Sequence, residues 1–485
     1  MQRFTLACLA WTLWLPMVRG AESVTAADVS AGLHKATDFF RKQVSIEGGY
    51  LWTYSADLSQ REGEGRASPT TAWVQPPGTP AVGEAFLVAY TATADPYYLQ
   101  AASETALALV RGQLRSGGWD YRIEFADPAR ARYAYRVEAP RDSQRNESTL
   151  DDNTTQAALR FLMHVDRALK FQETRIHEAA TYALESLEKA QYPNGAWPQR
   201  YTKYPDPAKF PARKVSYPAT WPREFPQKTY SAFYTFNDGA LCDVISTLVE
   251  AAEIYQEPRW QALAEKGGEF ILAAQMPDPQ PAWAQQYDAD MHPAWARKFE
   301  PPAVTGGESQ GILRTLLFLY RKTGNRRYLE PLPRALAYLR QSQVAPNRCA
   351  RFYELQTNKP LYFTKDYVLT YSNNDVPTHY AFVVEARLDA IQAEYERLLQ
   401  LPPEQRDPPV SRSAPRLTSG LASQARDVLR RMDDRGAWVV DGTLRTAEPP
   451  SAVTQIIDCQ TFIKNVEILS RFLLAARATE EVKPR

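Results

Sequence analysis

The chain has 485 residues, and its 57 Lys and Arg against 56 Asp and Glu leave a formal net charge of +1. Such near-neutrality supplies no global field to draw in a polyanion, so an anionic partner has to be held by local arginines and nucleic acid is disfavoured. Its four cysteines lack short paired spacings, which argues against a zinc site or a disulfide framework; one disulfide among Cys242, Cys349 and Cys459 stays open.

The first twenty residues read as an export signal. Arg3 gives the positive start, Phe4 to Met17 an apolar core, and Val18-Arg19-Gly20 a cleavage site with small residues at its two inspected positions. Cys8 lies inside the apolar core rather than after it, which argues against a lipoprotein. Cleavage would remove Arg3 and Arg19 and take the net charge from +1 to −1. No other stretch approaches the ~18 uninterrupted apolar residues of a membrane span. The expectation is therefore a secreted or periplasmic protein without a membrane anchor.

Helical periodicity then recurs in pairs, predicting twelve helices near 27–43, 80–95, 97–114, 150–171, 174–190, 238–255, 257–274, 308–323, 326–342, 378–400, 418–433 and 453–477. Six times a helix runs into a turn rich in Gly, Trp and Tyr: QVSIEGGYLWTY (43–54), QLRSGGWDY (113–121), QYPNGAWPQRY (191–201), QMPDPQPAWAQQYD (275–288), QSQVAPNRCARFYE (341–354) and MDDRGAWVVDG (432–442). Connections near 96, 172, 256 and 324 are short, whereas those after the odd helices are long. An up-down array then has its long loops at one end, where function concentrates. Twelve such helices close most simply as an all-α, (α/α) toroid of about six helical hairpins. One domain over 21–478 follows, with a flexible tail at 479–485 and a Pro-rich surface linker at 402–415. The even helices are the more apolar all round, for example Ala240, Leu241, Val244, Ile245 and Leu248, and so form the inner ring.

Polar residues mark the starts of three consecutive even helices: Asp151-Asp152-Asn153, Asn237-Asp238 and Glu308-Ser309. Each alone reads equally as a helix cap. Together they converge on one mouth of the toroid. Aromatic residues crowd the same end, including Trp119, Trp197 and Trp283 and those of the long segment 202–236. Most pack loops onto the rim, but Trp197, beside Gln199 and Arg200, is the preferred face for stacking a sugar. Arg297 and Arg351 lie in long loops beside aromatics and a glutamate, where a guanidinium fork suits a carboxylate; pairing of Arg297 with Glu300 or Glu308 is the competing account.

With these residues assembled, the chain resembles polysaccharide lyase family 10, the pectic acid lyases. The resemblance rests on LDDNTTQAALRFL (150–162), KAQYPNGAWPQRY (189–201), YTFNDGAL (234–241), MHPAWARKFEPPAVTGGESQGI (291–312) and ARFYELQTNKPLYF (350–363), in the family's order. It implies anti β-elimination on polygalacturonate, an acidic plant polysaccharide, with calcium bridging protein acids and the substrate carboxylate and an arginine removing the C5 proton. By the same resemblance Asp151 and Asp238 match calcium ligands, Asp152 joins them, and Arg297 matches the base. Arg351 resembles a contact to a substrate carboxylate, and Trp197, Arg200, Glu308 and Tyr353 complete the expected substrate site, in a monomer. An arginine base implies activity that rises at alkaline pH. Two features depart from the family: Asp152 stands where an Asn is usual, and 202–228 reads as an insertion. An inverting glycoside hydrolase with paired carboxylates and a non-catalytic carbohydrate-binding relative are the alternative readings.

Overall fold

The computed structural model describes residues 24–408, 415–446 and 453–481. The export segment 1–20, the centre of the Pro-rich linker and the end of the tail lie outside the described residues. Among the described residues are twelve helices of ten or more residues: α1 (Ala26–Phe39, continued by the π-helical turn Phe40–Val44), α2 (Thr79–Thr93), α3 (Pro96–Gly112), α4 (Thr154–Ala168), α5 (Thr174–Ala190), α6 (Ala240–Tyr255), α7 (Pro258–Ala273), α8 (Glu308–Thr323), α9 (Leu332–Gln341), α10 (Leu388–Gln400), α11 (Ser419–Arg430) and α12 (Cys459–Glu481). None of them is long and apolar enough to cross a membrane.

The even helices pack side by side in the order α12, α2, α4, α6, α8, α10, and the odd helices back onto them from outside. The result is an all-α, (α/α) toroid. Local chemistry explains several boundaries. Asp95 caps α3 with Pro96 at its first position, Thr25 and Asp28 form a capping box on α1, and Gly324 ends α8 in the left-handed conformation at φ 72°.

The long-loop turns carry short strands. The segment before an inner helix pairs with the segment after the next turn: 71–73 with 122–124, 148–149 with 200–201, 234–235 with 286–287, 303–305 with 352–354, and 455–458 with 53–55. The strand before α10 departs from this, pairing backwards with 348–350. Three helix limits change accordingly. Residues 383–385 and 455–458 are strands rather than helix, because Val383-Val384 and Ile456-Ile457 place β-branched side chains in ladders. The helix expected from 326 breaks at Pro331 and Pro333 into a 3₁₀ turn and α9.

The repeated turn is a staple. The Gln113, Gln191 and Gln275 amides each donate to a carbonyl of their own turn (Gly117, Gly195, Pro281) and to one in or beside the next outer helix (Ala179, Leu263, Pro331) at 2.8–3.2 Å. The turn's tryptophan reaches back to its own outer helix: Trp119 to Leu109, Trp197 to Leu187, Trp283 to Ile271 and Trp438 to Val428, at 2.8–2.9 Å. In the fifth turn the Cys349 thiol approaches the Leu339 carbonyl instead, and Cys242, Cys349 and Cys459 are all free thiols. The repeat thus satisfies orphan carbonyls at helix C-termini and ties neighbouring hairpins together.

Candidate active site

The long-loop end gathers the acids. Asp151–Asn153 and Asn237–Gly239 are 3₁₀ turns that pack against one another immediately before α4 and α6. Asp152 (φ 50°) and Asp238 (φ 46°) both adopt the left-handed conformation, costly for a residue with a Cβ and tolerated by aspartate. The capping account fails for these acids: the N-caps of α4, α6 and α8 are Asn153, Gly239 and Gly307, and none donates or accepts a side-chain cap bond.

One carboxylate oxygen from each of Asp151, Asp152 and Asp238 lies within 4.8 Å of the other two. Oxygens bound to one calcium at about 2.4 Å cannot be more than ~5 Å apart, so this spacing fits a shared cation. Asp151 is buried; its Oδ2 accepts from the Tyr121 hydroxyl at 2.9 Å, while its Oδ1 is buried without a partner. An unpartnered buried acceptor of this kind suits a metal ligand. Burial, then the charges of Asp151, Asp238 and Glu64, pushes Asp152 up to about 7. Asp238 is pushed up to about 6 by loss of solvent, Asp151 and Glu308. Three acids crowded this closely want a positive charge among them.

Arginines surround the trio. Arg297 has a nitrogen 4.0 Å from Asp238 and 2.5 Å from Glu300, and its guanidinium carbon sits 5.1 Å from the Phe299 ring. Burial opposes its charge, but the bond to the fully buried Glu300 outweighs this and raises its pKa further. Arg351 donates to Glu308 at 3.1 Å and to the Tyr380 hydroxyl at 3.3 Å; that hydroxyl donates to Glu300 at 2.9 Å. Arg200, brought opposite Thr149 by the 148–149/200–201 pair, stands 3.9 Å from Asp151 and 3.8 Å from Glu147.

Asp151, Asp152, Asp238, Arg200, Arg297, Glu308 and Arg351 therefore meet at one mouth. Two expected members do not reach it. Trp197 is fully buried with its indole N–H spent on Leu187, so it has no face for a sugar. Tyr353 is equally buried, accepting from the Ala350 amide and donating to the Ser342 carbonyl. Conversely, Tyr121, Tyr380 and Glu64 belong to the mouth without having been singled out. Tyr121 had a readable signal, two residues past Trp119 in the repeated turn. Glu64 and Tyr380 sit in irregular loops whose approach depends on the closed ring.

Comparison with known proteins bears on the chemistry. No curated protein matches the chain in sequence. Among solved structures, it is similar to a family 10 polysaccharide lyase from Cellvibrio cellulosa, at 20% identity over 65% of this chain and 97% of that one, with a TM-score of 0.45. A point mutant of that family 10 lyase, in complex with trigalacturonic acid, aligns at 19% identity over 66% and 98%, with a TM-score of 0.44. A cellobiose 2-epimerase from Bacillus thermoamylovorans aligns at 12% identity over 92% and 98%, with a TM-score of 0.44. Residues 113–346, which carry Asp151, Asp152, Asp238 and Arg297, match the family described as pectic acid lyase. The match spans just under half of the chain and makes it similar there to the pectic acid lyases, and the chain is a polysaccharide lyase.

Proposed function

We propose that the protein is an exported pectate lyase that cleaves polygalacturonate by calcium-assisted anti β-elimination, with Arg297 as the base. The observation that carries this is the convergence of the Asp151, Asp152 and Asp238 carboxylates within 4.8 Å, with Arg297 4.0 Å from Asp238. Calcium held by these acids would bind the substrate carboxylate and acidify the proton α to it, which otherwise resists removal because it leaves further charge on an anion. Arg297, in its neutral form, takes the C5 proton, the electron pair forms the C4–C5 double bond, the C4–O4 bond breaks on the opposite face, and the departing O4 takes a proton from solvent. Arg351 and Arg200 orient uronate carboxylates beside the acids, and Glu308 fixes Arg351.

Glu300 and Asp238 hold the proton on Arg297 in the free site, so turnover should rise toward alkaline pH. The spacing of the aspartates argues against an inverting hydrolase that pairs Asp151 or Asp152 with Asp238, since such a pair needs carboxylates about 6.5–9.5 Å apart to admit a water. The apolar stretch 4–17 supports secretion or a periplasmic location.

The test is ultraviolet absorbance of unsaturated sugar ends on polygalacturonate, from neutral to alkaline pH. Product should form with calcium and vanish with chelator. Arg297→Ala should lose turnover by roughly 10²–10⁴-fold while still binding the polymer. New reducing ends without that absorbance, insensitive to chelator, would replace the lyase with a hydrolase. Binding without cleavage at any pH would leave a carbohydrate-binding relative.

A further inference from the structure

Beside the reaction centre lies a second cleft, of about 490 Å³, which none of the steps above uses. One wall is Arg223 and Phe225 from the insertion 202–228; the other is Phe363, Tyr367 and Tyr371 around the hairpin 360–370, with Trp295 at the floor. It adjoins the centre directly. Trp295 is two residues before Arg297, and Tyr367 stacks at 5.7 Å on Phe299, the ring beside the Arg297 guanidinium.

The walls are built rather than loose. The buried Glu354 carboxylate pairs with Arg223 and accepts from the Tyr371 hydroxyl at 2.8 Å, so one anion fixes both sides. Packing alone would bury the apolar groups, yet Tyr371 is 53% and Val368 62% exposed at the lip. Positive charge is present as well. Arg223 is about half exposed and lies 4.2 Å over the Trp221 ring. Next to the lining rather than in it, Lys298 is exposed with its Nζ 3.4 Å over the Tyr367 ring, and among the described residues it has no carboxylate partner.

Aromatic faces with a free cation match a pyranose that presents apolar C–H surfaces and carries a carboxylate. The volume falls within the range of small-ligand sites. We propose that this cleft is an outlying subsite for a further uronate residue of the same polysaccharide, with Arg223 and Lys298 facing its carboxylate and Tyr371 its ring. The insertion would then lengthen the stretch of polymer the enzyme grips. This rests on the lyase reading above.

The experiment compares kcat/KM on polygalacturonate and on trigalacturonate, by the absorbance assay, for the parent, Arg223→Ala and Val368→Glu. Val368→Glu places an anion at an exposed lip position with no internal partner to lose, so it keeps the test sound if Arg223→Ala displaces the insertion. The ratio of polymer to trimer efficiency should fall about tenfold in both folded variants. A ratio that stays within twofold in Val368→Glu, or equal losses on both substrates, overturns the subsite. A parent that makes no unsaturated product from either substrate removes the lyase reading, and the subsite with it.

Discussion

Asp151, Asp152 and Asp238 carry an electrostatic cost that Arg297 and Arg200 offset only in part and that a bound cation would relieve. Like charges this close repel by about 1 kcal/mol or more at solvent-exposed distances, and more where burial thins the water. Asp152→Asn should therefore stabilise the calcium-free protein, raising its Tm in chelator by about 2 °C, while raising the calcium needed for half-maximal activity about tenfold. Parallel melting curves in chelator and in calcium check both signs; a variant less stable than the parent in both would refute the argument. At this scale the site was half legible. Acids at the starts of apolar helices mark a mouth, and Asp151 and Asp238 stand out there. What sequence leaves open is whether such an acid caps its helix, and here the caps fall to Asn153 and Gly239 instead. Trp197 and Tyr353 misled for a related reason. A tryptophan in a Gly-rich turn looks the same whether its ring faces solvent or its own helix. The usable sign was spacing: Trp119, Trp197 and Trp438 each follow by ten residues the helix carbonyl they bond.

Between residue and barrel stands the repeated turn. It holds the acids in place by holding the outer helices, and its tryptophans, with Gln113 and Gln191, are buried to do so. Trp197→Phe keeps most of the ring but strands the Leu187 carbonyl, which should cost about 1–2 kcal/mol of stability in denaturant unfolding and leave KM for polygalacturonate within twofold. A large rise in KM at unchanged stability would return Trp197 to the substrate. Helix existence was well determined by the 3.6-residue period, since apolar stripes such as that of α6 admit no other reading. Helix limits were less so. Val383 and Ile456 occupy positions where a helix could continue, and only ladder partners at 348–350 and 53–55 decide for strand. The strand before α10 is also where the pairing rule of the other turns breaks, so the ring's least regular joint lies just ahead of α10.

Across the whole molecule, the inner ring is tied by charge at the level of His164. Its Nδ1 meets Glu84 of α2 and its Nε2 meets Glu250 of α6, each at 2.6 Å, so one imidazole bridges three inner helices. Burial opposes the charge, but the bonds to Glu250 and Glu84 push His164 from 6.5 up to about 9. A folded-state value above the unfolded one stabilises fully below about pH 6.5 and fades as pH rises through about 9. Melting temperature should accordingly decline between pH 7 and 10, and His164→Gln, costing about 2 kcal/mol at pH 7, should flatten that decline. An unchanged slope in the variant would assign the loss elsewhere. The alkaline range that suits an arginine base is thus the range in which the barrel gives up one of its own ties. The ring has one more consequence. Because α1 begins and α12 finishes at the short-loop face, both termini of the folded unit point away from the mouth. A tether attached at either end, to a cell wall, a bead or a second catalytic module, would present the cutting face outward, toward fibres too large to diffuse to it.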